Sequence, residues 1–447
     1  VSETVELLQA LIRSACVNDG TVESGQETRN VAVLQQFFGD IGVDFEVVEP
    51  APGRASLIGR LRGTDPRAPS VALVGHLDVV PADPSGWTHD PFGGELIDGT
   101  VWGRGAIDML GLVASMAVVF KSFAQSKIRL RGDLVFAATA DEEAGGTWGA
   151  GWITKNRPEL IAATYSLTEN GGIVLSEQDS PGVTLTVGEK GGAPRRLEIH
   201  GRPGHGSTPW GARNAAGIAA EAVTRLLNEP GQAVVLEHWQ SFVEASDFSP
   251  QLRARLLDPT TLNDALSELG DLKGYGHAMT HMTVSPNIVD AGDKRNVIPG
   301  RATVGLDIRL LPGQDENDVE RHLKTVLDEL LSSIDVIEEF TGAASSSPPR
   351  TEFYSVIEDA MRQFYPGAHL VPMIMPGGTD GRHLRAAGSI VYGFGLYSRE
   401  VDMASFRSRF HGDDERVDVE SIRLTTAALE QSLKKFLAVE STEGERE

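Results

Sequence analysis

Three short apolar segments limit the possible folds of this chain more than any other feature. VALVG (71–75), LVFAATA (134–140) and ATYSL (163–167) are apolar on both parities and rich in β-branched or small residues. Each is too short for a buried helix and too evenly apolar for a half-exposed strand, so each reads as a strand buried on both faces. Helical patterns lie around them, at Glu3–Ala15, Thr28–Gly39 and Gly111–Phe123. Strands alternating with helices imply an α/β fold: a mostly parallel mixed sheet with helices on both faces. Further strands are expected at 44–48 and 55–62, and Asp98-Gly99 marks a hairpin turn.

The pattern changes after residue 190. Strand 195–201, helix 214–228, strands 282–292 and 301–310, helix 316–331 and strand 336–342 follow in order. That is the split β-α-β order of a ferredoxin-like α+β domain. Residues 231–279 read as a helical insertion within it, and SSSPPR (345–350) as a linker back. The expected organisation is therefore a catalytic domain in two parts, 1–190 and 344–447, with a lid or dimerisation domain at 191–343. Hinges are expected near 190–194 and 343–350. The second part should hold a helix at 352–364, strands at 370–375 and 390–394 around a Gly-rich turn (377–381), and a last helix at 419–438, before a charged, frayed end at 441–447. A length of 447 residues suits two or three domains.

Each buried strand runs into a residue that can bind a metal. His76 follows VALVG; Glu142 and Glu143 come just after LVFAATA; Glu169 lies two residues after ATYSL. Asp108 ends WGRGAID, ahead of the long helix. The carboxyl edge of such a sheet is where ligands bind. Several carboxylates buried there need counter-charge, and only Arg104 lies nearby in sequence, so divalent cations are the natural partner. Asp78, two residues beyond His76, can face the same way and bond the far ring nitrogen of that histidine. His411, in RFHGDDER, can return a fifth ligand from the far end of the chain. Two histidines and three carboxylates, all N and O donors, suit zinc and tolerate cobalt or manganese.

Composition narrows the partners. The formal net charge is −23 and no basic stripe is present, so nucleic acid and anionic membranes are excluded as partners. No run of 18 apolar residues spans a membrane, and Val1–Gln9 does not read as a signal peptide. The single cysteine, Cys16, rules out an intrachain disulfide and a thiolate metal cluster, and fits a cytoplasmic location. No G-x-S-x-G elbow is present, which disfavours a serine hydrolase. GEKGGAP (188–194) lacks the Gly-Lys-Ser/Thr spacing of a phosphate loop.

GHLDVVP (75–81), WGRGAIDMLG (102–111), ADEEAGG (140–146), GHGSTP (204–209), GGTD (377–380) and FHGDDERV (410–417) together resemble the dizinc aminoacylase and carboxypeptidase family. That family includes glutamate carboxypeptidase, succinyl-diaminopimelate desuccinylase, acetylornithine deacetylase and aminoacylases. The strings look closest to its carboxypeptidase S and N-fatty-acyl amino acid hydrolase branch. The resemblance implies a lid-bearing zinc-peptidase fold and two zinc ions. Asp108 would bridge them, His76 and Glu169 completing one site, Glu143 and His411 the other. Glu142 would be the general base, and a cis peptide would follow Asp108. His205 would stabilise the oxyanion, arriving by domain closure or from a second subunit. Asn287 and Arg309 resemble positions that hold the oxyanion or a substrate carboxylate. Gly377, Gly378 and Thr379 open a helix whose free N–H groups could hold the same carboxylate. Glu169 departs from the pattern, being followed by Asn170 where relatives often carry a second acid. The implied activity is amide hydrolysis of a small peptide or N-acyl amino acid by a homodimer. The alternatives are a biosynthetic N-succinyl or N-acetyl deacylase and a non-catalytic metal-binding protein on the same fold.

Overall fold

Strands Val71–His76 and Leu134–Thr139 are buried at every residue, and their side chains divide strictly between two faces of one sheet. Val71, Leu73, Leu134 and Phe136 enter one apolar cluster; Ala72, Val74, Val135 and Ala137 enter another on the opposite side. This is the period-two alternation of a strand with helices on both faces. The computed structural model describes residues 1–175 and 180–439; the charged end expected to fray lies outside them.

Across the larger sheet the strands run Phe45–Val48, Ser56–Leu61, Leu134–Thr139, Val71–His76, Tyr165–Thr168, Ile390–Gly393, Gly182–Glu189 and Ser345–Ser346. His369–Met375 also pairs with Gly182–Glu189, in parallel. The central pairs, from Leu134–Thr139 through to Ile390–Gly393, are parallel. Helices Ser2–Arg13, Leu110–Gln125 and Val419–Leu437 pack together over one face. Ala150–Asn156, Pro158–Ile161 and Gly381–Ala386 cover the other, through Ile153, Ile161 and Leu384.

Gly182–Glu189 was not legible as a core strand. GVTLTVGE alternates apolar residues with threonines, the pattern of a half-exposed strand, yet all eight residues are buried. The structure tolerates the threonines because their hydroxyls are bonded: Thr184 Oγ1 accepts from the Ile173 N–H at 3.0 Å, and Thr186 Oγ1 donates to the Asn170 carbonyl.

The smaller sheet is antiparallel, in the order Thr283–Ala291, Arg301–Leu310, Arg195–His200, Ile334–Glu338. Its first strand in sequence lies between the third and the fourth, the split β-α-β arrangement of a ferredoxin-like unit. Helices Ala215–Asn228 and Glu316–Leu327 close a separate apolar core against it. The helix expected to reach residue 331 ends at Leu327, and a 3₁₀ segment, Asp328–Ser333, follows.

Residues 231–279 form the helices Glu237–Ala245, Pro250–Leu256 and Leu262–Leu266 and most of Lys273–Thr280. Their apolar faces do not join the smaller core. Trp239 and Phe242, stacked at 5.2 Å and fully buried, belong to the larger one, against strand His369–Met375. The chain therefore passes four times between the two cores: at Lys190, at 229–236, at 281–282 and at 339–344. Lys190 ties two passages together, its buried Nζ donating to the His281 carbonyl at 2.7 Å and to Thr283 Oγ1 at 3.1 Å. No described helix is long and apolar enough to cross a membrane.

Candidate metal centre

Sheet geometry brings the ligand-type residues to one edge. His76 ends its strand, and Glu169 follows strand Tyr165–Thr168 directly. Glu142 and Glu143 sit in a single 3₁₀ turn, Glu142–Ala144, just beyond Leu134–Thr139. Asp108 lies just ahead of helix Leu110–Gln125, and its bond to Met109 is cis. His411 follows helix Met403–Arg409, at φ +58°.

The ligand atoms fall into two groups that share one residue. Those of His76, Asp108 and Glu169 lie within 4.8 Å of one another, as do those of Asp108, Glu143 and His411. The two oxygens of Asp108 face different histidines: Oδ1 is 3.1 Å from His76 Nε2, and Oδ2 is 2.9 Å from His411 Nε2. His411 Nε2 lies 3.3 Å from Glu143 Oε2, and His76 Nε2 lies 3.9 Å from Glu169 Oε1 and 4.0 Å from Glu142 Oε2.

Burial pushes the Glu142 and Glu169 carboxyls well above their usual range, and pushes Glu143 up to about 7, with the charge of Asp108 adding to it. Burial acts the same way on Asp108, but the hydrogen bonds from His411 and His76 hold it well below the ordinary value. His411, bonded to Asp108 and Glu143, is raised to about 10. Among the described residues no lysine or arginine pairs with any of these four acids. Arg104 is committed to Glu415 at 2.7 Å. Glu415 in turn accepts the N–H groups of Gly105, Ile107 and Asp108 at 3.1, 2.8 and 3.0 Å, which fixes the Asp108 loop.

A cation fits this set. The donors are imidazole nitrogens and carboxylate oxygens, and Glu143 Oε1 is buried with no hydrogen-bond partner. An acid cluster with no lysine or arginine paired to it can meet the cost of its burial through bound positive charge. His76 is oriented for ligation, with Nδ1 2.9 Å from the Asp78 carbonyl oxygen and Nε2 facing the cluster.

The expected side-chain bond from Asp78 to His76 is not the one formed. The Asp78 carboxylate stands 3.6 Å from Nδ1, farther than its own backbone oxygen, because it turns to accept the N–H groups of Glu142 at 3.2 Å and Glu143 at 3.0 Å. Thr379 also differs from expectation. Its N–H and hydroxyl both donate to Glu189 Oε2 at 2.6 Å, so neither is free for a substrate carboxylate. His205 is exposed in the smaller unit, its Nδ1 2.7 Å from Ser207 Oγ, and Asn287 bonds Ser285 at 2.7 Å. Neither lines the cavity at the acid cluster, whereas Gly377, Gly378 and Arg309 do. Asn170 supports Glu169, its Nδ2 donating to Oε2 at 3.0 Å.

That cavity, about 630 Å³, contains Asp108, Glu142, Glu143, Glu169 and His411 at one end. Its other walls hold groups that sequence reasoning missed: the aromatic rings of Tyr275, Phe340, Phe406 and Phe410, and the guanidinium groups of Arg382 and Arg407. Arg407 lies over the Tyr275 ring at 4.9 Å. Neither Arg382 nor Arg407 forms an ion pair with a described carboxylate. Phe406, Arg407 and Phe410 come from the helix Met403–Arg409 and its cap, with Phe406 and Phe410 one turn apart and their rings 5.6 Å from each other, whereas Tyr275, Phe340 and Arg382 come from separate segments. Arg382, directly after GGTDG, and Phe410, the first residue of FHGDDERV, carried a signal. A larger hollow, about 770 Å³, opens in the smaller unit around residues 290–303 and contains none of the acid cluster.

Residues 72–435, most of the chain, match the model of peptidase family M20/M25/M40. The chain belongs to that family. It is 28% identical over 377 residues to a probable carboxypeptidase S-like 2 of Dictyostelium discoideum, covering 82% of this chain and 72% of the relative. It is 26% identical over 445 residues to the N-fatty-acyl-amino acid synthase/hydrolase PM20D1 of Xenopus tropicalis, covering 94% and 84%. Its fold is similar to that of an M20 family metallo-carboxypeptidase, Sso-CP2, from Sulfolobus solfataricus, with a TM-score of 0.70, 17% identity and coverage of 98% and 99%. This M20 chain is thus a hydrolase of the peptidase and amidohydrolase class, as the resemblance implied, and the mixed α/β sheet is that of its relatives.

Proposed function

We propose that this M20 chain hydrolyses the amide bond of a small peptide or N-acyl amino acid, using two zinc ions held by His76, Asp108, Glu143, Glu169 and His411. One observation carries the reading: Asp108 turns one oxygen to each of two ligand groups, with Glu142 beside them but in neither. Bound cations would supply a polarised amide carbonyl and a water acidic enough to lose its proton near neutral pH. Cobalt or manganese suits the same donors.

Glu142 is the proton carrier in this reading. It lines the cavity and is free of both ligand groups, so Oε2 can take the proton of the attacking water. As the C–N bond breaks, the same oxygen returns that proton to the leaving nitrogen, and the products are one carboxylate and one amine. The parallel grip expected of Arg309 is already taken, its Nε and Nη2 donating to Asp307 at 2.7 and 3.3 Å, so it meets the substrate's own carboxylate through Nη1 alone. Gly378 lines the same cavity, and its missing side chain makes room for the Arg382 guanidinium. The aromatic rings give an apolar acyl or side chain a wall to pack on. His205 completes the oxyanion contact when the smaller unit closes or when a second chain pairs with the first, about hinges at the passages near 190 and 343.

Amine release from a panel of dipeptides and N-acyl amino acids, N-succinyl compounds included, tests this directly. Zinc-loaded and chelated protein are compared side by side. Expected is release that stops on chelation and returns with zinc, the preferred members naming the substrate. Release that persists in the chelated protein would remove the metal-dependent reading.

A further inference from the structure

Asp141 stands in an unusual backbone conformation beside the two glutamates. At φ +69°, ψ 16° it is left-handed, a region few residues other than glycine adopt. Four contacts hold it there. Its N–H donates to Glu27 Oε1 at 3.2 Å, and its Oδ2 accepts the Trp148 N–H at 2.9 Å. Its Oδ1 accepts from Arg54 Nη2 and, at 3.3 Å, from Asn18 Nδ2. Arg54 also pairs with Glu27 Oε1 at 3.2 Å and donates through Nη1 to the Ser24 carbonyl. Arg54 and Glu27 are both 0% exposed. Gly25 admits the guanidinium: a Cβ there would lie 2.1 Å from Nη1.

The same network reaches the glutamates from the other side. Asn18 Nδ2 donates to Asp78 Oδ2 at 2.8 Å, and the Asp78 carboxylate accepts the N–H groups of Glu142 and Glu143. The turn is therefore gripped at its entrance by Arg54 through Asp141, and along its backbone by Asn18 through Asp78. A fully buried arginine is costly to keep dry, and one paired with two buried acids fixes geometry more than it adds stability. Asn18, Glu27 and Arg54 all precede the stretch 72–435 that matches the family model.

We infer that Asn18, Glu27 and Arg54 are positioning residues for the metal centre, setting the Glu142–Glu143 turn so that Glu143 faces Asp108 and His411 while Glu142 stays clear of both groups. The inference rests on the reading of that centre given above. Outer partners of metal ligands typically carry a tenfold to hundredfold effect on metal affinity. Glu143 belongs to only one of the two ligand groups, so the effect should fall on one seat.

The test is a zinc titration of the chelated full chain by calorimetry, on wild type, Asn18→Ala, Arg54→Lys and Arg54→Met, with His411→Ala as the one-seat reference. Expected are two seats in wild type. In Asn18→Ala and Arg54→Met the seat that His411→Ala removes should weaken about tenfold to a hundredfold, the other staying within about threefold. Arg54→Lys should recover part of the loss. kcat should fall with KM nearly unchanged. Asn18→Ala removes no charge and guards against the chance that Arg54→Met fails to fold. Wild-type affinity at both seats in folded variants overturns the inference alone, as does equal weakening of both seats. A wild-type chain that takes up no zinc overturns the reading beneath it as well.

Discussion

Asp108 and Glu142 differ in what surrounds their oxygens, and that difference assigns their work. Both Asp108 oxygens meet an imidazole, whereas Glu142 lies near His76 only at 4.0 Å and in neither ligand group. Glu142→Gln keeps the shape and removes the proton acceptor. Its expected result is a kcat lower by about 10²- to 10⁴-fold with metal content unchanged, read by turnover alongside metal analysis. Activity within tenfold of wild type would assign the proton transfer to another group. His76, Glu142, Glu143 and Glu169 could be placed at the sheet edge because each ends or follows a strand of readable period, whereas Asp108 and His411 lie outside the strands and their roles came from the resemblance of the strings around them. The direction of Asp78 and the partner of Thr379 were not legible, since both depend on loop torsions beyond the strand end. Arg54 left no trace for a related reason: its partners Glu27 and Asp141 lie far from it in sequence and meet it only in the folded core.

At the scale of elements, the strand Ile390–Gly393 lies against the loop that carries Glu169. Gly393 pairs with Thr168, and a Cβ at this glycine would fall 1.9 Å from the Glu169 carbonyl oxygen and 2.9 Å from Thr186 Cβ. Gly393→Ala must push that loop aside. Expected are a stability loss of about 1–3 kcal/mol in urea unfolding and a weaker seat at His76, Asp108 and Glu169. An alanine variant equal to wild type in both would show that the loop gives way without moving Glu169. The buried strands and long helices were legible from their periods, as was the ferredoxin-like order. Gly182–Glu189 was hidden by threonines whose hydroxyls find partners only after folding. Residues 231–279 read as a helical insertion within the smaller unit, but nothing local tells Trp239 and Phe242 which of two cores to enter.

Across the whole molecule, the two cores meet at a junction that contains a stacked pair of histidines, one of them fully buried. His281 is fully buried and stacked on His277 at 4.2 Å; Lys190 donates to its carbonyl, and Arg309 and Asp307 face Lys190 from the smaller sheet. Burial, with the His277 ring adding to it, lowers His281 to about 4. Its folded value thus lies below the unfolded one, near 6.5. The stability this neutral ring allows is present in full above about 6.5 and is lost as the pH falls through that value toward 4, because the unfolded chain binds the proton first. His281→Asn should flatten the fall in urea midpoint across that window; an unchanged slope would place the acid sensitivity elsewhere. The four passages between the cores also bear on the gene. Deleting codons 191–343 to remove the smaller unit would strip Trp239 and Phe242 from the larger core along with the smaller sheet. The smaller unit thus corresponds to two separate stretches of the gene, and the codons between them encode helices of the larger core.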